Sequence, residues 1–267
     1  MNDTKAPVLT RKLGRKPRSY DPRVPHLSAL RLGRPPVSPP DDLDNTNGMP
    51  ANLGMMLNNQ LGDCTCAAFY HARQVWTFNA QKKTSTEPDK DVLELYEHAC
   101  GYDPKVPSTD QGGNEQHVLK FLLKTGAPIG AQGSARDKIM AFVEVDPRNI
   151  DDVKRTIYEC GVAYIGFNVP QNIMPAGGVP PKIWSVDKSN SKIIGGHAVV
   201  LPGYDAQGPH VISWGERYKM TWDFFVTFVD EVYAIADRAW FEATQKTPLG
   251  MTPAELEAQM QGLRTAA

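Results

Sequence analysis

Apolar positions change period about halfway along the chain. From Thr65 to about Ala80, Ala68, Ala72, Val75 and Trp76 fall on one side of a helix, with Asp63 placed to cap it. The stretches EPDKDVLELYEHAC (87–100) and NEQHVLKFLLKTGA (114–127) predict two more helices, the second stopped at Gly126. After that the beat shortens. KIMAFVEVD (138–146), VAYIGFNV (162–169), GGHAVVLPGYD (195–205), HVISWG (210–215) and a run around Val232 to Ile235 read as strands, with one helix, NIDDVKRTIYECG (149–161), started near Asn149 or Asp151. Near the end, Thr252, Pro253 and Glu255 form a capping-box start, and Leu256, Met260 and Leu263 make a single apolar stripe. Helices first and a mostly antiparallel sheet afterwards predict an α+β protein with two lobes and a crevice between them. The expected boundaries are an arm over 1–50, a domain over 51–246 with lobes of about 51–135 and 136–246, and a C-terminal helix over 247–267.

Charge and proline set the first forty residues apart. They carry nine Lys/Arg against two Asp/Glu, a balance of +7, and eight of the 22 prolines; the remainder has 20 against 28, or −8. Segments such as RKLGRKPRSYDPRVP cannot form helices or central strands, because proline removes donors and biases the preceding residue to extended backbone. This is an arm, and an ordered arm needs something to lie on: a partner, another subunit or its own domain. The expected partner is therefore a protein or an assembly contacted through residues 1–40. Lys/Arg density would suit phosphates, but Tyr20 is the arm's single aromatic, which argues against a base-stacking role on nucleic acid. No apolar run approaches the ~18 residues of a membrane span. The N-terminus lacks an apolar signal core, so cytoplasmic synthesis is the expectation. Four cysteines in 267 residues do not make a disulfide scaffold.

Candidate chemistry concentrates in LNNQLGDCTCAAF (57–69). A thiol attacks carbonyls well only as thiolate, and a helix N-terminus lowers its pKa; Cys64 and Cys66 stand at such a start. A cysteine nucleophile also needs a base brought near by folding. His197 qualifies, at the head of a strand behind two glycines, whereas His71, His98, His117 and His210 lie in less distinctive settings. A metal reading would use Cys64, Cys66, His98 and Cys100, but these spacings are not those of common zinc ribbons, so no metal or cofactor is expected. Cys160 reads as a small buried residue. In DQGGNE, Asp110 and Asn114 could hold a cation, against the simpler reading of a turn that caps the next helix.

These same residues carry a resemblance. NQLGDCTCAAF is similar to the nucleophile motif of the papain-like cysteine peptidases, with Asn59, Gln60, Cys66, Ala68 and Phe69 in register. GGHAVVLPGYD resembles that superfamily's histidine strand, and ISWGERYKMTW its Asn-Ser-Trp-Gly segment, at Ser213, Trp214 and Gly215. His197 lies 131 residues beyond Cys66 and Ile212 lies 146 beyond, within the roughly 130–150 of that family. STDQGGNEQHVLKFLLKTGA and DDVKRTIYECGVAYIGFNV resemble helix and strand segments of bacterial members, so the similarity spans about 52–236. A looser likeness is to uncharacterised proteins of tailed bacteriophages and prophages. The resemblance implies a papain-like two-lobe fold, with a helical left lobe, an antiparallel β-barrel-like right lobe and a peptide substrate. Gln60 would then donate to the oxyanion, His197 would move the proton, and Trp214 would shield the histidine. It also implies a disulfide, which Cys64 and Cys100 could copy.

Two departures bear on activity. The offset from Gln60 selects Cys66, while LGDCT resembles a bacterial LGSCT form, which selects Cys64 and puts Asn58 at the glutamine offset. The position matched to the histidine-orienting asparagine is Ile212, which accepts no hydrogen bond; Asp205, Ser213 and Glu216 are the substitutes on offer. Two functions therefore compete. One is a thiol hydrolase of peptide or isopeptide bonds, impaired by Ile212. The other is a non-catalytic docking component of a large assembly such as a virion, anchored by its arm.

Overall fold

The computed structural model describes residues 11–31, 33, 34, 37–130, 135–175 and 178–265. The first ten residues of the expected arm, and the last two of the expected C-terminal helix, lie outside them. In chain order the elements are α1 (Leu27–Leu30), β1 (Leu43–Asp44), α2 (Cys64–Gln81), α3 (Asp89–Cys100), α4 (Glu115–Lys124), β2 (Ala127–Ile129), β3 (Ala135–Asp137), β4 (Ala141–Glu144) and α5 (Ile150–Cys160). There follow β5 (Ala163–Pro170), β6 (Ile183–Trp184), β7 (Ile193–Tyr204), β8 (Pro209–Ser213), β9 (Glu216–Met220), α6 (Trp222–Phe228), β10 (Val229–Ala236), α7 (Arg238–Thr244) and α8 (Pro253–Arg264). The α+β expectation holds, with helices early and a sheet late.

The sheet runs β4-β10-β5-β7-β8-β9-β6, antiparallel except for β6 beside β9, and β1 adds to β7. Its path ends at β4 and β6, and among the described residues these are not paired, so the sheet is open where a closed barrel would join them. Helix α2 packs on β7 and α7. It is buried without a break from Cys64 to Ala72, so it is a core helix and not a strictly amphipathic one. Two of its large polar side chains are satisfied inside: Tyr70 donates to the carbonyls of Asp91 and Pro128, and Trp76 Nε1 donates to that of Cys160.

Several helix starts use the caps read from sequence. Asn149 accepts from the Asp152 N–H, and Thr252 with Glu255 forms the full capping box. Asn114 caps α4 by accepting from His117, while Asp110 accepts from Gly62 N–H and Tyr96 OH, so the DQGGNE turn serves the fold. Asp63, expected to cap α2, makes no side-chain cap bond; its carboxylate instead takes the amide of Asn58.

The arm lies on its own domain. Residues 11–16 cross the front of α2 and the head of β7. Farther on, Ser19 donates to Asn114, Lys120 pairs with Asp21, and Arg18 pairs with Glu144. Val24 and Leu27 are buried in the core. Arg31 pairs with Asp152, Arg155 donates to the Val37 carbonyl, and Tyr204 donates to that of Pro40. The proline-rich composition rules out internal ladders, so the arm's backbone finds its partners on the body.

Candidate active site

Cys64 is the first residue of α2, where the unpaired N–H groups of the first turn converge. The N–H of Ala198, the residue after His197, and the N–H of Gly14 in the arm both point at its sulfur and favour the thiolate. Burial outweighs them, with Asp63 and Glu115 adding to it, and the thiol is pushed up to about 12. Cys66 sits two positions on, about 200° round the helix. Its sulfur is 3.9 Å from that of Cys100, both thiols are free, and it is fully buried. Burial and Cys100 hold Cys66 well above its ordinary value. The reading that favours Cys66 therefore meets a geometric obstacle: helix rotation turns it to the packing against α3, and Cys64 is the cysteine facing the histidine strand. The implied Cys64–Cys100 pairing fails for the same reason, since it is Cys66 that lies against Cys100.

Gln60, the expected oxyanion donor, is exposed. Asn58, six residues before Cys64, is buried, and its amide donates to the Leu61 carbonyl and to Asp63. Both of its N–H bonds are thus spent inside the loop.

His197 is buried on β7. Its Nε2 lies 2.7 Å from Ser213 Oγ, and its ring stacks on Trp214 with centroids 4.3 Å apart and planes at 15°. Burial holds the imidazole down to about 3, with His71 contributing, so the ring is neutral. The Ile212 assignment is corrected here. Ile212 pairs with Val200, and alternation along a strand puts its side chain on the face opposite to that of Ser213. His197, three residues from Val200, shares the Ser213 face. Of the three substitutes, Ser213 reaches the ring, while Asp205 is taken by Lys219 and Glu216 by Lys182. Trp214 is held by a two-residue turn in which both it and Gly215 have positive φ, 49° and 72°. A tryptophan in that region is strained, and the strain lays the indole over the imidazole.

The remaining cleft is filled by the arm. Lys12 N–H donates to the Asn58 carbonyl, Gly113 N–H to that of Gly14, Arg15 N–H to that of Gly196 and Lys16 N–H to that of Gly113. Arg15 and Gly113 form a parallel bridge. Trp214 Nε1 donates to the Lys12 carbonyl. Gly14 is required by contact: a Cβ there would stand 1.8 Å from the Gly62 carbonyl oxygen. Sequence reading missed this segment as a site component, though its Gly between basic residues was visible. It also missed Arg15, whose guanidinium meets Glu115, Asp230 and Glu231 beside the cleft. Among the described residues no cluster of His, Cys, Asp and Glu is arranged to hold a metal, and His98 of the metal reading stacks on Phe121. No described helix is long and apolar enough to cross a membrane.

No protein-family model and no curated protein matches the chain. Solved structures do. Xylellain, a cysteine protease from Xylella fastidiosa, superposes with a TM-score of 0.64 at 18% identity, over 85% of this chain and 98% of that one. A procathepsin B from Trypanosoma congolense gives 0.58 at 11% identity, over 85% and 87%. The Carica candamarcensis cysteine protease CMS1MS2 gives 0.52 at 12% identity, over 74% and 99%. By these superpositions the chain has the papain-like cysteine protease fold.

Proposed function

We infer that the chain is a thiol hydrolase acting on peptide or isopeptide bonds, with Cys64 as nucleophile and His197 as base, held closed by residues 11–16 of its own arm. One observation carries the reading: the arm's backbone lies extended against Cys64, Gly113 and Gly196, in the manner of a bound peptide. In the closed state both reacting groups are neutral, because burial raises the thiol and lowers the imidazole. Displacing the arm admits water, relieves both effects and lets the helix N-terminus favour the thiolate. His197 then returns the proton to the leaving amine. The Cys64 backbone N–H supplies an oxyanion donor in place of the exposed Gln60.

A second reading, a non-catalytic docking component of a large assembly such as a phage particle, draws on the inward-turned Asn58 and on Ser213, whose hydroxyl both donates and accepts and so fixes no tautomer. Labelling with an epoxide or vinyl-sulfone warhead, followed by peptide mass spectrometry, separates the two. An adduct on Cys64 that His197→Ala abolishes is the hydrolase outcome. A thiol that stays unlabelled after the arm is displaced is the docking outcome.

A further inference from the structure

Arg15 leaves the cleft backbone and enters a pocket made for a planar cation. Its Nε donates to Glu115 at 2.9 Å, and its Nη2 donates to Asp230 at 2.5 Å and to Glu231 at 2.7 Å. The side chains of Arg15, Glu115 and Glu231 are 1%, 0% and 0% exposed. Tyr233 donates to the other Glu231 oxygen, and Asn168 to the second oxygen of Asp230, so two of the carboxylates are fixed independently of the arm. The floor is bare: a Cβ on Gly166 would stand 2.1 Å from Arg15 Nε.

Three carboxylates around one cation exceed what a latch needs. Glu115 and Glu231 are inaccessible to water, so a chain occupying the cleft at neutral pH must bring a positive charge, or the pocket must take up a proton or stay uncompensated, each at a cost. The fork geometry matters too. Two nitrogens on different sides of one guanidinium are used, Nε for Glu115 and Nη2 for Asp230 and Glu231, a spread that a lysine's point charge cannot copy. The pocket adjoins Gly113, whose N–H and C=O hold the extended backbone on either side of Arg15.

We propose that the Glu115–Asp230–Glu231 pocket is an arginine-recognition subsite, and that the protein's substrates are arginine-bearing peptides which replace Arg15 when the arm lifts. This rests on the reading of the cleft as peptide-binding, but not on hydrolysis.

The test uses the full chain carrying Arg15→Ala, which vacates the pocket. The probes are propylguanidinium and propylammonium, read by thermal shift, and the peptides acetyl-Leu-Gly-Arg-Lys-amide and its citrulline counterpart, read by equilibrium binding. The expected result is a rise in Tm with millimolar propylguanidinium that propylammonium does not match. With it comes at least about tenfold tighter binding of the arginine peptide, as for a site whose buried polar groups reject an analogue lacking the partner charge. Equal shifts from the two cations, equal affinities of the two peptides, or no binding of either would overturn the proposal. If Arg15→Ala does not fold alone, circular dichroism with each cation decides: refolding only with propylguanidinium supports the subsite, and refolding with both or neither overturns it. Neither readout needs a reactive thiol. Arginine binding without hydrolysis would sink the hydrolase reading alone, and hydrolysis indifferent to arginine would sink the subsite alone.

Discussion

Two buried groups meet under the same six residues of arm, and they are built on opposite principles. At Cys64 and His197 burial removes charge: the thiol is pushed up to about 12 and the imidazole down to about 3. Beside them, the Arg15 pocket gathers charge and pairs it, with Glu115, Asp230 and Glu231 outweighing the burial of the guanidinium. The first region is quiet because it is dry. The second is stable because the cation meets all three of its carboxylates. One arm thus closes the cleft by an ionic anchor on one side and by excluding water on the other, and each half can be broken separately.

The largest effect belongs to the ionic half. Arg15→Met leaves Glu115 and Glu231 buried without their cation and should cost about 3–5 kcal/mol at neutral pH, measured by denaturant unfolding. The loss has a pH signature. Burial and Glu231 already hold the Glu115 carboxyl well above its ordinary 4.5, with Arg15 opposing the rise. Without Arg15 the folded state keeps the proton that the unfolded chain releases above about 4.5, so the variant loses further stability as pH rises and recovers toward acid. A pH-independent difference from the parent would show that the carboxylates are not trapped.

The dry half responds to shape. Gly14→Ala forces a methyl into the Gly62 carbonyl and should lift the cleft segment while the strap from Ser19 to Pro40 stays docked. Hydrogen exchange should then rise at Gly113, Arg15 and Lys16, whose N–H groups lose their partners across the cleft, and remain unchanged in α2. Within the opened form, Ser213→Ala should slow alkylation of Cys64 about tenfold, and Ser213→Asn should restore or exceed the parent rate, because an amide oxygen accepts from Nε2 and fixes the tautomer. No effect of either change would remove Ser213 from the mechanism. The smallest effect lies away from the cleft. Thr252→Ala removes half a capping box and should cost about 1 kcal/mol, with no change at Cys64.

What could be read from the sequence tracks how local the physics is. The periodicities of 65–80 and 162–169, and the caps at Asn149 and Thr252, involve neighbours within a turn or two, and they appear as α2, β5, α5 and α8. The cysteine choice was harder, because Cys64 and Cys66 differ only in helix rotation: the offset from Gln60 selects the cysteine that lies against Cys100, and the other one faces the histidine strand. Ile212 misled for a related reason: one step along a strand moves a side chain to the other face, and it is Ser213 that meets the ring. β9, α6 and α7 were missed, since short elements carry few periods. The Arg15 pocket could not be read at all. It joins residues 100 and 216 positions apart, and only the tertiary fold brings a polar-arm arginine to a helix start and an apolar strand.

The central claim is that a competent thiol–imidazole pair lies beneath the arm, and the Cys64 alkylation rate under an epoxide warhead tests it most directly in the full chain, parent against Gly14→Ala. The account predicts slow labelling of the parent, labelling at least about tenfold faster in Gly14→Ala and confined to Cys64, and loss of that gain on adding His197→Ala. Equal rates in parent and Gly14→Ala, or a gain that survives His197→Ala, would contradict it.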